Sequence, residues 1–326
     1  SFAAPRRFAA ETSNPFDGSD AAAAGFLSGW LRGEPLETCC MWADAGAALA
    51  LSSAPGTQGF PVAAERDAFL ARATPPRQPR YDAPLRHLRW TALRKPGPES
   101  IVAFACDHRM QLEQIADAVG ASHERIAAFK MLTVRAVEKV ADGRPGFGMF
   151  LDGRYGRAAL AAAARAGLWT GRPIGRTGSR PLEFEGGADG TADTSLAAHI
   201  AEWPADQVAT CLCFYHPADD AALKARQLRE LLRAQAACRH FGRELLVEII
   251  AGKNGPIADG TVAEVLRTLY AQGLCPDWWK LEPQTSPAAW EAIGAAIADN
   301  DPQCLGVLVL GLNAPIAQLE EAFAEA

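Results

Sequence analysis

The sequence predicts an α/β fold, a parallel (βα)8-type TIM barrel lacking its last strand, preceded by a helical segment. Three observations point there. From residue 100 onward, short continuous apolar runs alternate with amphipathic stretches, as in strands buried on both faces and joined by crossover helices. No glycine-rich first turn of the kind found in doubly wound nucleotide folds is present. Polar residues gather instead at the C-terminal ends of several different strand candidates, and in a barrel those ends share one mouth. The strand candidates are 101–106, 148–151, 208–215, 245–250, 278–281 and 305–310; the helical stretches are 122–141, 156–166, 220–241, 261–271, 287–298 and 316–324.

Composition narrows the function before any motif does. Of 326 residues, 49% are hydrophobic and 21% charged, a globular balance. A net charge of -6 without any lysine/arginine run argues against a nucleic-acid partner. No apolar run approaches the length of a membrane span and no signal-peptide pattern opens the sequence, so the expected location is cytoplasmic. The eight cysteines are scattered, with no CxxC pair and no zinc-like spacing. Cys211 and Cys213 alternate on one strand and share a face, which reads as buried free thiols in a reducing compartment rather than a metal site.

The part before the barrel divides in two. Residues 1–64 carry a helix at 19–31, a second at 36–51 after Gly33-Glu34-Pro35, and a glycine/proline-rich tail; two helices and a tail cannot bury a core of their own. Residues 65–98, with Thr74-Pro75-Pro76-Arg77-Gln78-Pro79-Arg80, show no apolar periodicity and are expected to run extended as a linker to the barrel at 99–326.

The candidate site is the barrel mouth. Its strand ends carry Asp107-His108-Arg109, Asp152-Gly153-Arg154-Tyr155, Tyr215-His216, Glu248, and Lys280 with Glu282. Singly, each is a common cap or ion-pair partner; five strands ending in polar groups at one rim make a functional site the better reading. Lys280 stands in Asp277-Trp278-Trp279-Lys280-Leu281-Glu282-Pro283. Burial favours a neutral amine there, which a Schiff-base enzyme needs to attack a ketone; alternatively the side chain snorkels to solvent.

Two resemblances add to this reading. Asp17-Gly18-Ser19-Asp20 followed by Ala24-Gly25-Phe26 resembles the end of ribokinase-family sugar kinases. The resemblance implies that Asp20 is the base taking a substrate hydroxyl proton, and that a complete attached kinase would use ATP and Mg. Asp17 departs from the family's glycine, and the nucleotide- and sugar-binding strands that should precede the block are not in the sequence.

The barrel resembles class I tagatose-bisphosphate aldolases and the related barrel fused to a kinase in inositol catabolism. The marks are Ala105-Cys106-Asp107-His108-Arg109, Phe150-Leu151-Asp152-Gly153-Arg154-Tyr155-Gly156, Cys211-Leu212-Cys213-Phe214-Tyr215-His216-Pro217, Leu246-Val247-Glu248 and Trp279-Lys280-Leu281-Glu282-Pro283. The implied reaction is cleavage of 2-deoxy-5-keto-gluconate 6-phosphate to dihydroxyacetone phosphate and malonate semialdehyde, without a cofactor for the aldolase. Lys280 would be the nucleophile, Glu248 the acid/base and Asp107 a catalytic partner. Arg109, Asp152, Tyr215 and His216 would contact substrate, and Gly311 and Asn313 would hold its phosphate at a helix start. A homo-oligomer is expected. The family carries a second lysine where this chain has Thr210, and a last strand with a Gly-Arg phosphate site that would follow residue 326; the expectation is an excerpt of a longer chain. Two other readings stay open. One is a metal-dependent aldolase or lyase with His108, His216 and Glu248 around a divalent ion. The other is a non-catalytic phosphosugar-binding domain regulating the kinase, for which Thr210 is the best support.

Overall fold

The computed structural model describes residues 8, 12, 17–52, 61–95, 97–185, 195–284, 286–311 and 314–324. The chain forms two compact units, Ser1–Lys95 and Pro96–Ala326. Among the described residues there are twelve α-helices and one seven-stranded sheet, and no helix is long and apolar enough to cross a membrane.

In the first unit α1 (Gly18–Leu31) and α2 (Leu36–Leu51) lie antiparallel and very close. A Cβ added at Gly25 would come within 2.5 Å of the Trp42 carbonyl oxygen, and one at Gly46 within 2.8 Å of that of Ala21, so small residues set the approach. The stretch expected to run extended is mostly helical: α3 (Ala63–Leu70), a 3₁₀ turn at Pro79–Tyr81 and α4 (Ala83–Leu93). The proline/arginine-rich run obscured the two short helices on either side of it. Asp82 caps α4 by accepting the Leu85 N–H at 3.0 Å and is also ion-paired with Arg72. Phe69 and Leu85, almost fully buried, join Leu49 in a small core, so α3 and α4 supply what α1 and α2 could not bury alone.

The second unit is the expected α/β barrel architecture, a curled half-barrel of seven parallel strands in the order β1 to β7. These are β1 (Val102–Ala105), β2 (Phe147–Phe150), β3 (Trp169–Pro173), β4 (Gln207–Phe214), β5 (Leu245–Ile250), β6 (Trp278–Leu281) and β7 (Gly306–Val309). Between them run α5 (Met110–Ala118), α6 (Glu124–Ala141), α7 (Arg157–Arg165), α8 (Leu196–Ala201), α9 (Ala221–His240), α10 (Thr261–Ala271) and α11 (Pro287–Asn300); α12 (Ile316–Ala324) follows β7. Each crossover advances one position in the sheet, which is what curls it.

Six strands lie where the sequence predicts them. β3 was not expected, because Trp169-Thr170-Gly171-Arg172-Pro173 is too broken by glycine, arginine and proline to read as an apolar run. Its glycine has a packing reason: a Cβ at Gly171 would lie 2.6 Å from the Phe150 ring and 3.1 Å from Thr210 Cγ2. Strand alternation then divides the side chains. Cys211, Cys213, Val247, Ile249, Trp279 and Leu281 face outward and pack with residues of α9, α10 and α11 such as Leu231, Leu266 and Ile293. Phe150, Val208, Leu246 and Trp278 face inward as the barrel floor.

Candidate active site

Inward parity carries two charged residues up from that floor. Glu248 on β5 is two residues beyond Leu246, and Lys280 on β6 is two beyond Trp278. The two are register partners on adjacent strands, flanked in the same layer by Leu212 of β4 and Leu308 of β7. Register partners on one face hold their Cβ atoms about 5 Å apart, so the pairing itself delivers the contact. Lys280 Nζ donates to Glu248 Oε2 at 3.0 Å, with the two side chains 12% and 14% exposed. The lysine therefore points into the barrel and does not snorkel away. Its Nζ also lies 4.6 Å from the centre of the Phe150 ring, which can lie across the wall because position 171 has no side chain.

Burial pushes the Glu248 carboxyl above its ordinary value, and the Asp107 charge pushes the same way; Lys280, by charge and hydrogen bond, and His108 pull it back. Asp107 and His108, after β1, thus act on the same carboxylate as Lys280. A carboxyl biased towards its protonated form beside an amine that needs to lose a proton is a natural proton-transfer pair.

The other expected site residues divide into struts and bystanders. Asp152 is fully buried with both oxygens engaged: Oδ2 takes Lys130 Nζ at 2.5 Å, and Oδ1 accepts the Arg154 and Tyr155 backbone N–H groups at 2.8 Å each. It offers no lone oxygen to a substrate and instead fixes the turn after β2. Its partner Lys130, on α6, was not picked out in the sequence. That ammonium is 0% exposed and also donates to the carbonyls of Cys106 and His108 at 2.6 and 2.9 Å, the two residues flanking Asp107. Arg109, also buried, crosses to the loop after β3, donating to the Gly175 carbonyl at 3.3 Å and pairing with Glu185.

Tyr215 departs from expectation. Following Cys211 and Cys213 in parity, it faces the helix layer and belongs to the outer core, so it does not line the mouth. His216 keeps inward parity, but both ring nitrogens are used: Nδ1 accepts the Ala218 N–H at 3.1 Å, and Nε2 meets the Pro256 carbonyl at 3.2 Å. This leaves no lone pair for a metal, and among the described residues His108, His216 and Glu248 do not come together as a ligand cluster. Glu282 accepts the Ala251 and Gly252 N–H groups and so closes the end of β5. Gly311 sits past β7, next to Phe323; Asn313 lies outside the described residues. Asp20 is exposed in the first turn of α1, in the other unit. All eight cysteines are free, with Cys211, Cys213 and Cys238 buried together in the outer core.

The architecture and the layer together define a class: a parallel βα half-barrel with a lysine–carboxylate pair inside its mouth. The chain belongs to a family described as an uncharacterized protein conserved in bacteria (DUF2090), whose model matches residues 65–326 and so takes in most of α3 and all of α4 as well as the barrel. No curated protein matches it. Among solved structures it is similar to the fructose-bisphosphate aldolase of Plasmodium falciparum, seen in a ternary complex with TRAP and a small-molecule inhibitor. The identity is 12% and the TM-score 0.50, over 75% of this chain and 80% of that one. The likeness is one of fold.

Proposed function

We propose that the barrel is a Schiff-base (class I) aldolase-type lyase acting on a phosphorylated keto-sugar acid, such as 2-deoxy-5-keto-gluconate 6-phosphate. The observation that carries this reading is the Lys280–Glu248 pair, 3.0 Å apart and inward-facing on adjacent strands. Glu248 would take a proton from the ammonium, and the neutral Lys280 amine would attack the substrate ketone. The carbinolamine would lose water, with Glu248 returning the proton, to give an iminium. The carboxylate would next take the proton of the hydroxyl on the far carbon of the bond to be cleaved, β to the iminium carbon. As that oxygen becomes the carbonyl of a departing aldehyde, the electrons of the carbon–carbon bond move into the iminium and form an enamine. Protonation of the enamine carbon and hydrolysis would release the ketose product and restore the amine. Asp107, whose charge favours the protonated form of Glu248, fits a supporting role at the same rim.

The fold likeness supports this reading at the level of architecture; the α1 motif is the basis for an attached sugar kinase, which, if complete, would use Asp20 as its base and ATP and Mg as its cofactors. Borohydride trapping provides the test. With a phosphorylated ketose present, reduction should add the sugar mass to one lysine, and Lys280→Ala should abolish the adduct. Turnover in the wild-type chain with no adduct, lost on adding a chelator, would overturn the reading in favour of a metal-dependent lyase.

A further inference from the structure

A second ammonium stands at the mouth where the proposed chemistry does not use it. Lys253 follows β5 in the loop Gly252-Lys253-Asn254-Gly255, and its Nζ lies 4.4 Å from the centre of the Phe214 ring. Phe214 ends β4 with the inward parity of Val208, Thr210 and Leu212 and is 7% exposed, so its ring is part of the inner wall. Strand pairing fixes its height. Leu212 shares a layer with Glu248 and Lys280, and Phe214 is two residues farther toward the mouth. At about 3.3 Å per residue, the Phe214 position is roughly 7 Å above the lysine–carboxylate layer.

Two features single out Lys253. Its exposed ammonium is held over an inner-wall ring and, among the described residues, pairs with no carboxylate that would compete with an incoming anion. Beside it, the Asn254 side-chain nitrogen Nδ2 is buried and donates to nothing. A buried donor left unpaired carries an uncompensated desolvation cost, which an incoming acceptor would relieve. A cation and an orphaned donor on adjacent residues suit an anionic oxygen group. The inner wall of β4 below them offers only the neutral Thr210.

We infer that Lys253, with Asn254 beside it, is a specificity-determining contact for the anionic group, phosphate or carboxylate, of the keto substrate. The inference rests on the Schiff-base reading of Lys280. The Phe214 level stands two residues mouthward of the lysine–carboxylate layer, so the substrate class it favours carries its anionic group a few bonds from the ketone carbon, on the side of the mouth. Neutral ketones satisfy Lys280 and leave Lys253 unused.

Trapping on the 326-residue chain with three probes tests this: dihydroxyacetone phosphate, the keto acid levulinate and neutral dihydroxyacetone. In Lys253→Ala, adduct formation below saturation should slow about tenfold for at least one anionic probe, the loss expected of a charge-assisted contact, and stay unchanged for dihydroxyacetone. The anionic probe that slows identifies phosphate or carboxylate as the group recognised, and Lys253→Arg should restore most of the rate. Equal losses for all three probes, or no loss for any, would overturn the inference. If the wild-type chain traps none of them, the Schiff-base reading fails by itself. Titration with inorganic phosphate and malonate, followed on the Asn254 side-chain amide by NMR, then decides Lys253 separately: shifts that vanish in Lys253→Ala support an anion contact, and shifts that persist or never occur overturn it.

Discussion

In the proposed mechanism Glu248 accepts and returns a proton within one turnover, and its surroundings already bias it towards holding one. Burial is the largest influence and raises its carboxyl above the ordinary value of 4.5, with Lys280 the main opposing one. The proposed carbon–carbon cleavage needs the ionised form, so the rate should fall as pH drops through this raised value. The acid limb of kcat/KM should therefore lie above the usual carboxylate range, and a pH–rate profile reads it directly. Glu248→Gln keeps the shape but cannot take a proton; kcat should fall roughly 10²–10⁴-fold and the acid limb should disappear. An unchanged limb in that variant would assign the proton transfer to another group, with Asp107 the first alternative. The pairing of Lys280 with Glu248 inside the barrel was legible in the sequence because strand-end position and alternation are one-dimensional facts. Tyr215 and Asp152 carried the same signal and mean something else in space. Parity turns Tyr215 outward, and the lysine that occupies Asp152 comes from a helix more than twenty residues away in the chain. Lys130 itself was illegible, since nothing between Phe129 and Met131 distinguishes a buried helix lysine from a solvated one.

The elements that shape the mouth are held by that buried pair. α6 brings Lys130 under the ends of β1 and β2, where one ammonium meets two carbonyls and the Asp152 carboxylate. Lys130→Met removes the positive charge and leaves a fully buried carboxylate without its counter-ion, a change that typically costs about 3–5 kcal/mol. Urea denaturation should show this loss. Adding Asp152→Asn should recover part of it, because an amide oxygen can still accept the Arg154 and Tyr155 N–H groups without carrying a charge. A double variant no more stable than Lys130→Met would mean that packing around the lysine stem, rather than the stranded charge, sets the cost. Element boundaries were read well where periodicity was strong, as at α10 and β5. They were missed where tertiary contacts override local character. β3 forms because Gly171 lets Phe150 and Thr210 close over it, and α3 and α4 form because Phe69 and Leu85 have a core to enter. Neither cause is local, so no window of the sequence contains it.

For the barrel unit as a whole, the consequence of the curled sheet lies at its margins. Among the described residues no strand pairs with the outer side of β1 or of β7. On β1 the outward-facing Val102 and Phe104 are 61% and 52% exposed, and α12 leaves Ile316 and Phe323 largely uncovered. On the inner strands β4 to β6 the outward residues are sealed under helices, as Trp279 is beneath α10 with its indole N–H donating to Tyr270 at 2.6 Å. An unpaired strand with apolar side chains is a template for further strand pairing and for hydrophobic association. The 326-residue chain should therefore self-associate at micromolar concentration, seen as a sedimentation coefficient that rises with protein concentration. Phe104→Lys places a charge on that edge, where neither a helix nor a partner strand would compensate its burial, and should shift the population towards monomer. Phe104 faces away from the Lys280–Glu248 layer, so borohydride trapping should be unaffected in the same variant. If Phe104→Lys sediments like the parent chain, association runs through another surface; if it also loses trapping, the β1 edge is coupled to the mouth through Cys106 and His108, whose carbonyls Lys130 holds.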